Sequence, residues 1–401
     1  MPPKLRIFLL VLMAAAAILY GASIITGLTA ELSQKQPLSD RVPGNQKVSN
    51  PAPLAPIALP THIPGQLSSP IRAIRLDYKE MVDSRKGIDA LEQNILGSGF
   101  NLVSLGAGRA EWTYFKWAGH MDAWAKDVRD SGIDFLADDA ARFGRWAYVD
   151  ASVDVLSPLY IQKYPQAAAL SYDGVASSNL VSTMQLVEGP YGQLLLEMIR
   201  SLASSYAVDS ISINEMYYQR DGYGPDDKAA FMQVTGRSDW PRRADGLIDI
   251  KDQIIGDWRS YELSRWLSQA QEIAHQYGKS FFVNISLNLN DPKAPIFDYG
   301  QSLVLLQGKM DKVLLWGFFD PETITAEDLA SAAQILKQND SQHKFIFVIG
   351  LWNKQNLPIA AQKLTQAAIA VQQGGLEDIW ITPASLVNAD HWLALSSIWK
   401  K

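Results

Sequence analysis

From Ile71 onward the chain alternates short β-like runs with helix-length amphipathic stretches, and that alternation restricts its architecture more than any other feature. The strand candidates are Ala73–Tyr78, Asn101–Gly106, Trp146–Val153, Ser210–Asn214, Ser280–Leu287, Lys312–Phe319, Lys344–Leu351 and Asp378–Thr382. Each is rich in Val, Ile, Leu or Phe and runs into Gly, Pro, Asn or Asp, the residues that end strands. Between them lie amphipathic stretches such as Ser84–Ser98, Gly192–Tyr206, Ile254–Tyr277, Ala326–Gln338 and Pro358–Gln373. Strands joined through helices pair in parallel, and eight such units suit a (β/α)8 TIM barrel. A doubly wound open sheet satisfies the same alternation. No Gly-rich phosphate loop follows the first strand, which removes the nucleotide-binding form of that sheet.

The chain divides into three segments. Residues 1–30 read as a membrane anchor or signal segment. Lys4 and Arg6 precede an uncharged run from Ile7 to Ala30, built mostly of Leu, Ile, Val, Ala and Met. A span needs about 20 apolar residues and a cleaved signal only about 7–15, so the length favours an uncleaved anchor. A removed signal peptide is the alternative, and in both cases positive charge before the run places the body outside the cytoplasm. Residues 31–70 carry eight prolines, at 37, 43, 51, 53, 56, 60, 64 and 70, and read as an extended spacer. Residues 71–401 form the barrel. With no cysteine in the chain, disulfides and thiolate chemistry are excluded, and the fold rests on its apolar core. The net charge of −6 and the lack of a long basic run argue against nucleic acid as a partner.

In such a barrel the chemistry sits at the C-terminal ends of the strands. There the sequence offers Asp77 and Tyr78, Asp150 and Asp154, Asn214 and Glu215 with Tyr217 and Tyr218, Asn284, Trp316 with Asp320, and Trp352. Aromatic faces for sugar rings, amides for hydroxyls and carboxylates for acid/base work are what a glycan site requires. The run Asp209–Glu215 is the most informative. Ile211 and Ile213 alternate with Ser210, Ser212 and Asn214, so the small polar residues face the barrel interior and Glu215 falls at the strand exit. A carboxyl held there among aromatics has its pKa raised, which suits a general acid. The alternative is a structural ion pair with Arg220. The second carboxylate is Asp320, Asp77 or Asp150. Asp320 precedes Pro321 and equally suits a helix N-cap. The five histidines show no i, i+3 or i+4 pair, and no metal, cofactor or nucleophile-elbow motif is present.

An ordered set of pieces resembles the glycosyl-hydrolase-like TIM-barrel families, a group that includes the hydrolase domain of the poly-N-acetylglucosamine export lipoprotein. The pieces are Gly99–Val103, Trp146–Asp150, Leu159–Pro165 followed by Tyr172–Gly174, Tyr206–Ile213 and Phe347–Leu351. The resemblance implies an extracytoplasmic glycoside hydrolase acting on a polysaccharide. It implies Glu215 with Asp320 or Asp77 as catalytic carboxylates. Asn214, Tyr217, Tyr218, Asp150, Asn284, Trp316 and Trp352 would then bind substrate. Two departures stand out. Asn214 occupies a position where the family often has Asp, and Phe345–Trp352 contains none of the carboxylate that retaining glycosidases of another clan carry on strand 7. These keep open a non-catalytic glycan-binding or scaffold barrel in a polysaccharide synthesis or export complex.

Overall fold

The structure is a computed structural model that describes residues 62–400, apart from 84, 86, 219, 293–299, 318–323, 354 and 356. The apolar segment 1–30 and the spacer as far as residue 61 therefore lie outside the described residues. Among the described residues no helix is long and apolar enough to cross a membrane.

The strands in chain order are β1 Arg72–Leu76, β2 Leu102–Arg109, β3 Trp112–Thr113, β4 Tyr148–Asp154, β5 Ala168–Leu170, β6 Ala176–Val181, β7 Ser210–Asn214, β8 Ser280–Leu287, β9 Lys312–Gly317, β10 Phe345–Gly350 and β11 Ile379–Thr382. Eight of them pair side by side in the order β1, β2, β4, β7, β8, β9, β10, β11. The pairing of Ala73 with Trp380 and with Leu102 joins the last strand to the first and closes the barrel. All eight pairings are parallel, and helices cover the outside, so the open doubly wound sheet is ruled out.

Strand side chains point alternately to the two faces, and here the two faces separate cleanly. Ile74, Val103, Val149, Ile211, Ile213, Val283, Val313, Phe347 and Ile379 belong to the outer core shared with the helices. Ala73, Leu102, Tyr148, Phe282, Leu314, Ile346, Val348 and Trp380 form an inner apolar cluster. Residues 62–70, which composition assigns to the spacer, pack against this end of the barrel. Leu67 packs on the inner cluster. His62 Nε2 lies 3.1 Å from Asp209 Oδ2, and the Gly65 N–H donates to Asp209 Oδ1 at 2.7 Å. Apolar Leu67 and the contacts of His62 and Gly65 with Asp209 override the proline content there.

Three features escape the sequence pattern. β2 continues past Gly106 through a bulge and turns back antiparallel as β3. A Cβ on Gly108, whose φ is +103°, would meet the Trp112 carbonyl oxygen at 2.2 Å, so the hairpin requires glycine there. β5 and β6 form a second hairpin after β4. The long connection after β7 carries a satellite core of Tyr223, Phe231, Trp240, Ile248, Ile255 and Trp258. Buried Arg259 ties that connection down, donating to the carbonyls of Tyr218 and Gly222 at 2.9 and 3.1 Å.

Three buried carboxylates make stability fall with rising pH. Burial pushes Asp139 and Asp150 up to about 6, and burial together with Asp226 pushes Asp227 up to about 7. Their unfolded values lie near about 3.9, so between those limits the folded protein keeps protons that the unfolded chain has lost. Stability contributed by these groups is therefore greatest below about pH 4 and declines as pH rises through about 7. Asp227→Asn is expected to raise Tm at about pH 8 and to change it little at about pH 5 in paired thermal melts. An equal shift at both pH values would show that the charge is not what costs stability there.

Candidate active site

Above the inner apolar cluster the barrel interior turns polar. Asp150, wholly buried, accepts hydrogen bonds from Ser104 on β2 at 2.7 Å and from Ser210 and Ser212 on β7 at 2.8 and 2.7 Å. Next comes an amide layer, in which the Asn214 amide donates to Ser152 Oγ and Asn284 donates to Asn214 Oδ1 at 2.9 Å. Small polar residues at these inward positions leave room for one another and satisfy every carboxylate oxygen of Asp150 without water.

The next inward layer opens to solvent as a cleft of about 380 Å³ at the C-terminal ends of the strands. Among the described residues its floor carries Arg75, Asp77, Asp154 and Glu215. Arg75 and Asp154 point there because they share a face with Ala73 and with Asp150. The Arg75 guanidinium bridges the acids, with Nε 2.9 Å from Asp77 Oδ1 and Nη2 3.4 Å from Asp154 Oδ1. Burial opposes the charge on Arg75, but Asp77, Asp154 and Glu215 outweigh it and raise its pKa. The Asp77 backbone N–H donates to Glu80 Oε2 at 2.6 Å, which fixes the turn that presents Asp77.

Glu215 lies one residue beyond Asn214, which is in register with Asp154 on the neighbouring strand. Burial and the nearby Asp154 carboxylate raise the Glu215 pKa against the opposing pull of Arg75 and Arg109. Its backbone is unusual, with φ of +62°. In an unbroken strand residue 215 would follow 211 and 213 to the helix side. The left-handed conformation interrupts that alternation, and Glu215 lines the cleft instead. Such a conformation costs a non-glycine residue roughly 1–2 kcal/mol and persists where the surroundings enforce it. The following residues are indeed held. Gln301 donates to the Met216 carbonyl at 3.0 Å, and the Tyr218 hydroxyl donates to the Val181 carbonyl at 3.1 Å.

Aromatic walls flank the charged floor. On one side Tyr78 stacks on Tyr114 with ring centroids 4.8 Å apart, and Trp112 meets both edge-on. On the other side Trp316 and Trp352 lie 5.5 Å apart.

Of the residues singled out in the sequence, Glu215, Asp77, Trp316 and Trp352 line the cleft. Asp320 lies outside the described residues. Asp150, Asn214 and Asn284 are 0%, 3% and 3% exposed and form the layers beneath the floor, so they support the site without reaching its surface. Tyr217 is close to Glu215 and hydrogen-bonds Ser286. Tyr218 is fully buried away from the cleft. Tyr78 and Asp154, also offered at the strand ends by the sequence, line it too, and the charged and aromatic cleft residues not singled out there are Arg75, Arg109, Trp112 and Tyr114. The period-2 signal reaches Arg75 and Asp154, since both continue inward-facing series. Arg109 and Trp112 depend on the hairpin that the glycines of β2 conceal. Among the described residues no cluster of His, Asp or Glu forms a metal site.

No known family's sequence profile matches the chain, and no curated protein sequence matches it either. Its fold does match solved structures. The barrel superposes on the glycoside hydrolase domain of PgaB (BpsB) from Bordetella bronchiseptica with a TM-score of 0.62 at 16% identity, covering 82% of this chain and 99% of that one. It superposes on the catalytic domain of β-amylase from Paenibacillus polymyxa with a TM-score of 0.57 at 11% identity, over 84% and 99% of the two chains. For the β-galactosidase of the psychrophilic Marinomonas ef1 the TM-score is 0.58 at 11% identity, over 82% of this chain and 58% of that one. The chain therefore has the barrel fold of glycoside-hydrolase domains.

The strained backbone at Glu215 can be measured. Glu215→Gly relieves the positive φ and is expected to raise stability by about 1 kcal/mol, read as a higher Tm. A lower Tm would mean that contacts of the Glu215 side chain outweigh the strain.

Proposed function

We propose that this protein is a glycoside hydrolase acting on a polysaccharide, with Glu215 as the general acid and Asp154 as the second carboxylate. The observation that carries this reading is the Glu215–Asp154 pair. Two acids on neighbouring strand ends share one cleft, and burial together with the Asp154 carboxylate raises the Glu215 pKa. A carboxyl whose pKa is raised by burial and by a neighbouring carboxylate suits the general-acid role. The aromatic walls offer faces on which sugar rings stack. The solved neighbours, a PgaB hydrolase domain, a β-amylase and a β-galactosidase, support carbohydrate as the substrate class.

The Arg75 ion pairs favour a second reading. Carboxylates already neutralised by a guanidinium suit a glycan-binding barrel in a polysaccharide synthesis or export complex, without catalysis. The uncharged run 7–30 and the proline-rich stretch after it support a body held outside the cytoplasm near a membrane.

Reducing-end release from a panel of soluble polysaccharides tests the enzyme reading. Glu215→Gln and Asp154→Asn are each expected to lower kcat by about 10²–10⁴-fold while glycan binding persists. Because the acid must be protonated, wild-type kcat is expected to fall as pH rises through the raised Glu215 pKa. Wild type and variants that bind equally and release no reducing ends would leave the binding barrel standing. Deleting residues 1–30 is expected to move the protein from the membrane fraction to the soluble fraction. A product of the undeleted sequence that is already soluble and shortened at its N-terminus would identify a cleaved signal instead.

A further inference from the structure

The cleft holds two guanidinium groups, and among the described residues only Arg75 makes a direct ion pair with the acids of the floor. Arg109 ends β2 opposite Trp112 in the hairpin register. Its guanidinium carbon lies 5.8 Å from the centroid of the Trp112 ring, and its Nε is buried without a hydrogen-bond partner. Among the described residues no carboxylate pairs with it. Neighbouring Glu111 is committed elsewhere, accepting the backbone N–H groups of Leu159 and Tyr160 at 2.9 and 2.5 Å. Asp77 and Asp154 both contact Arg75, whereas Glu111 and Glu215 act on Arg109 only at a distance, so among the described residues Arg109 is the cation of the cleft with no direct carboxylate partner.

We propose that Arg109 binds an anionic group on the sugar, and that the glycan this cleft accepts is an acidic polysaccharide bearing carboxylate or phosphate. A planar guanidinium matches either group through two parallel hydrogen bonds. Tyr78, Trp112 and Tyr114 stand beside it, so a ring stacked on that wall brings its acidic substituent to Arg109. This rests on the reading of the cleft as a glycan site. It does not rest on hydrolysis.

Binding is measured with Glu215→Gln protein, so that turnover does not intervene. The probes are polygalacturonate, polyglucuronate and polymannuronate, each beside its carboxyl-reduced neutral counterpart, together with poly(glycerol phosphate) and cationic chitosan. At least one acidic polymer is expected to bind about tenfold more tightly than its neutral counterpart, and Arg109→Gln in the same background is expected to erase that difference. Arg109→Lys keeps the charge without the fork and is expected to retain part of it. Preference for the polyuronides identifies carboxylate as the ligand group, and preference for poly(glycerol phosphate) identifies phosphate. A preference for neutral polymers or chitosan overturns the proposal. So does an acidic preference that survives in Arg109→Gln protein whose melting curve is native-like. If Arg109-dependent acidic binding is found but wild type releases no reducing ends, the hydrolase reading fails and this inference stands. Hydrolysis confined to neutral polymers has the opposite consequence.

Discussion

A closed barrel of eight parallel strands has an interior that water reaches only from its open end, so each polar group placed there must find a partner within the barrel. In this protein one buried carboxylate organises that interior. Asp150 collects the hydroxyls of Ser104, Ser210 and Ser212 and so links β2, β4 and β7 through side chains as well as through the backbone. The amide chain from Asn284 through Asn214 to Ser152 extends the connection to β8. Both layers lie directly under the cleft. Four neighbouring strand ends are thereby fixed relative to one another, and three of them, with β1, carry the charged floor and the aromatic hairpin.

What the rim can do electrostatically follows from that packing. Arg75 enters from β1 with no room to leave, and it takes Asp77 and Asp154 as partners. Glu215 is left as the acid without a direct ion pair among the described residues, half buried and beside another carboxylate. Its protonated form is favoured for that reason, whereas Asp154 is in direct contact with the guanidinium. The asymmetry between the two acids arises from which of them the arginine reaches.

The strands were the most legible part of the molecule. Runs such as Ser280–Leu287 alternate apolar outward residues with inward ones and are bounded by turn residues, and β7 and β8 fall at the expected limits. Legibility failed where glycine serves a strand instead of ending it. Gly106 reads as a terminator, yet β2 runs on through it to Arg109, with a shift of register between Gly106 and Gly108. That single misreading hides β3, and with it Arg109 and Trp112. Asp150 failed in another way. A carboxylate near the end of a strand reads as a rim residue, and only the pairing register reveals three serine hydroxyls converging on it. Asp320 and its surroundings lie outside the described residues.

The Asn214–Glu215 dipeptide, which departs from the resembling families, also has a physical account. Position 214 faces inward, is 3% exposed and lies in register with Asp154 two residues along the strand from the Asp150–Ser212 contact. An aspartate there would add a third carboxylate to an interior already holding Asp150, with Asp154 alongside. An asparagine instead donates to Ser152 and accepts from Asn284, so both halves of its amide are used. The acid then has to come from the next position, which a regular strand would turn toward the helices. The left-handed backbone at Glu215 brings it back to the cleft at a local cost of roughly 1–2 kcal/mol. That cost is smaller than the several kcal/mol of burying an unpaired charge, so a neutral interior and a strained acid at the strand exit are two parts of one arrangement.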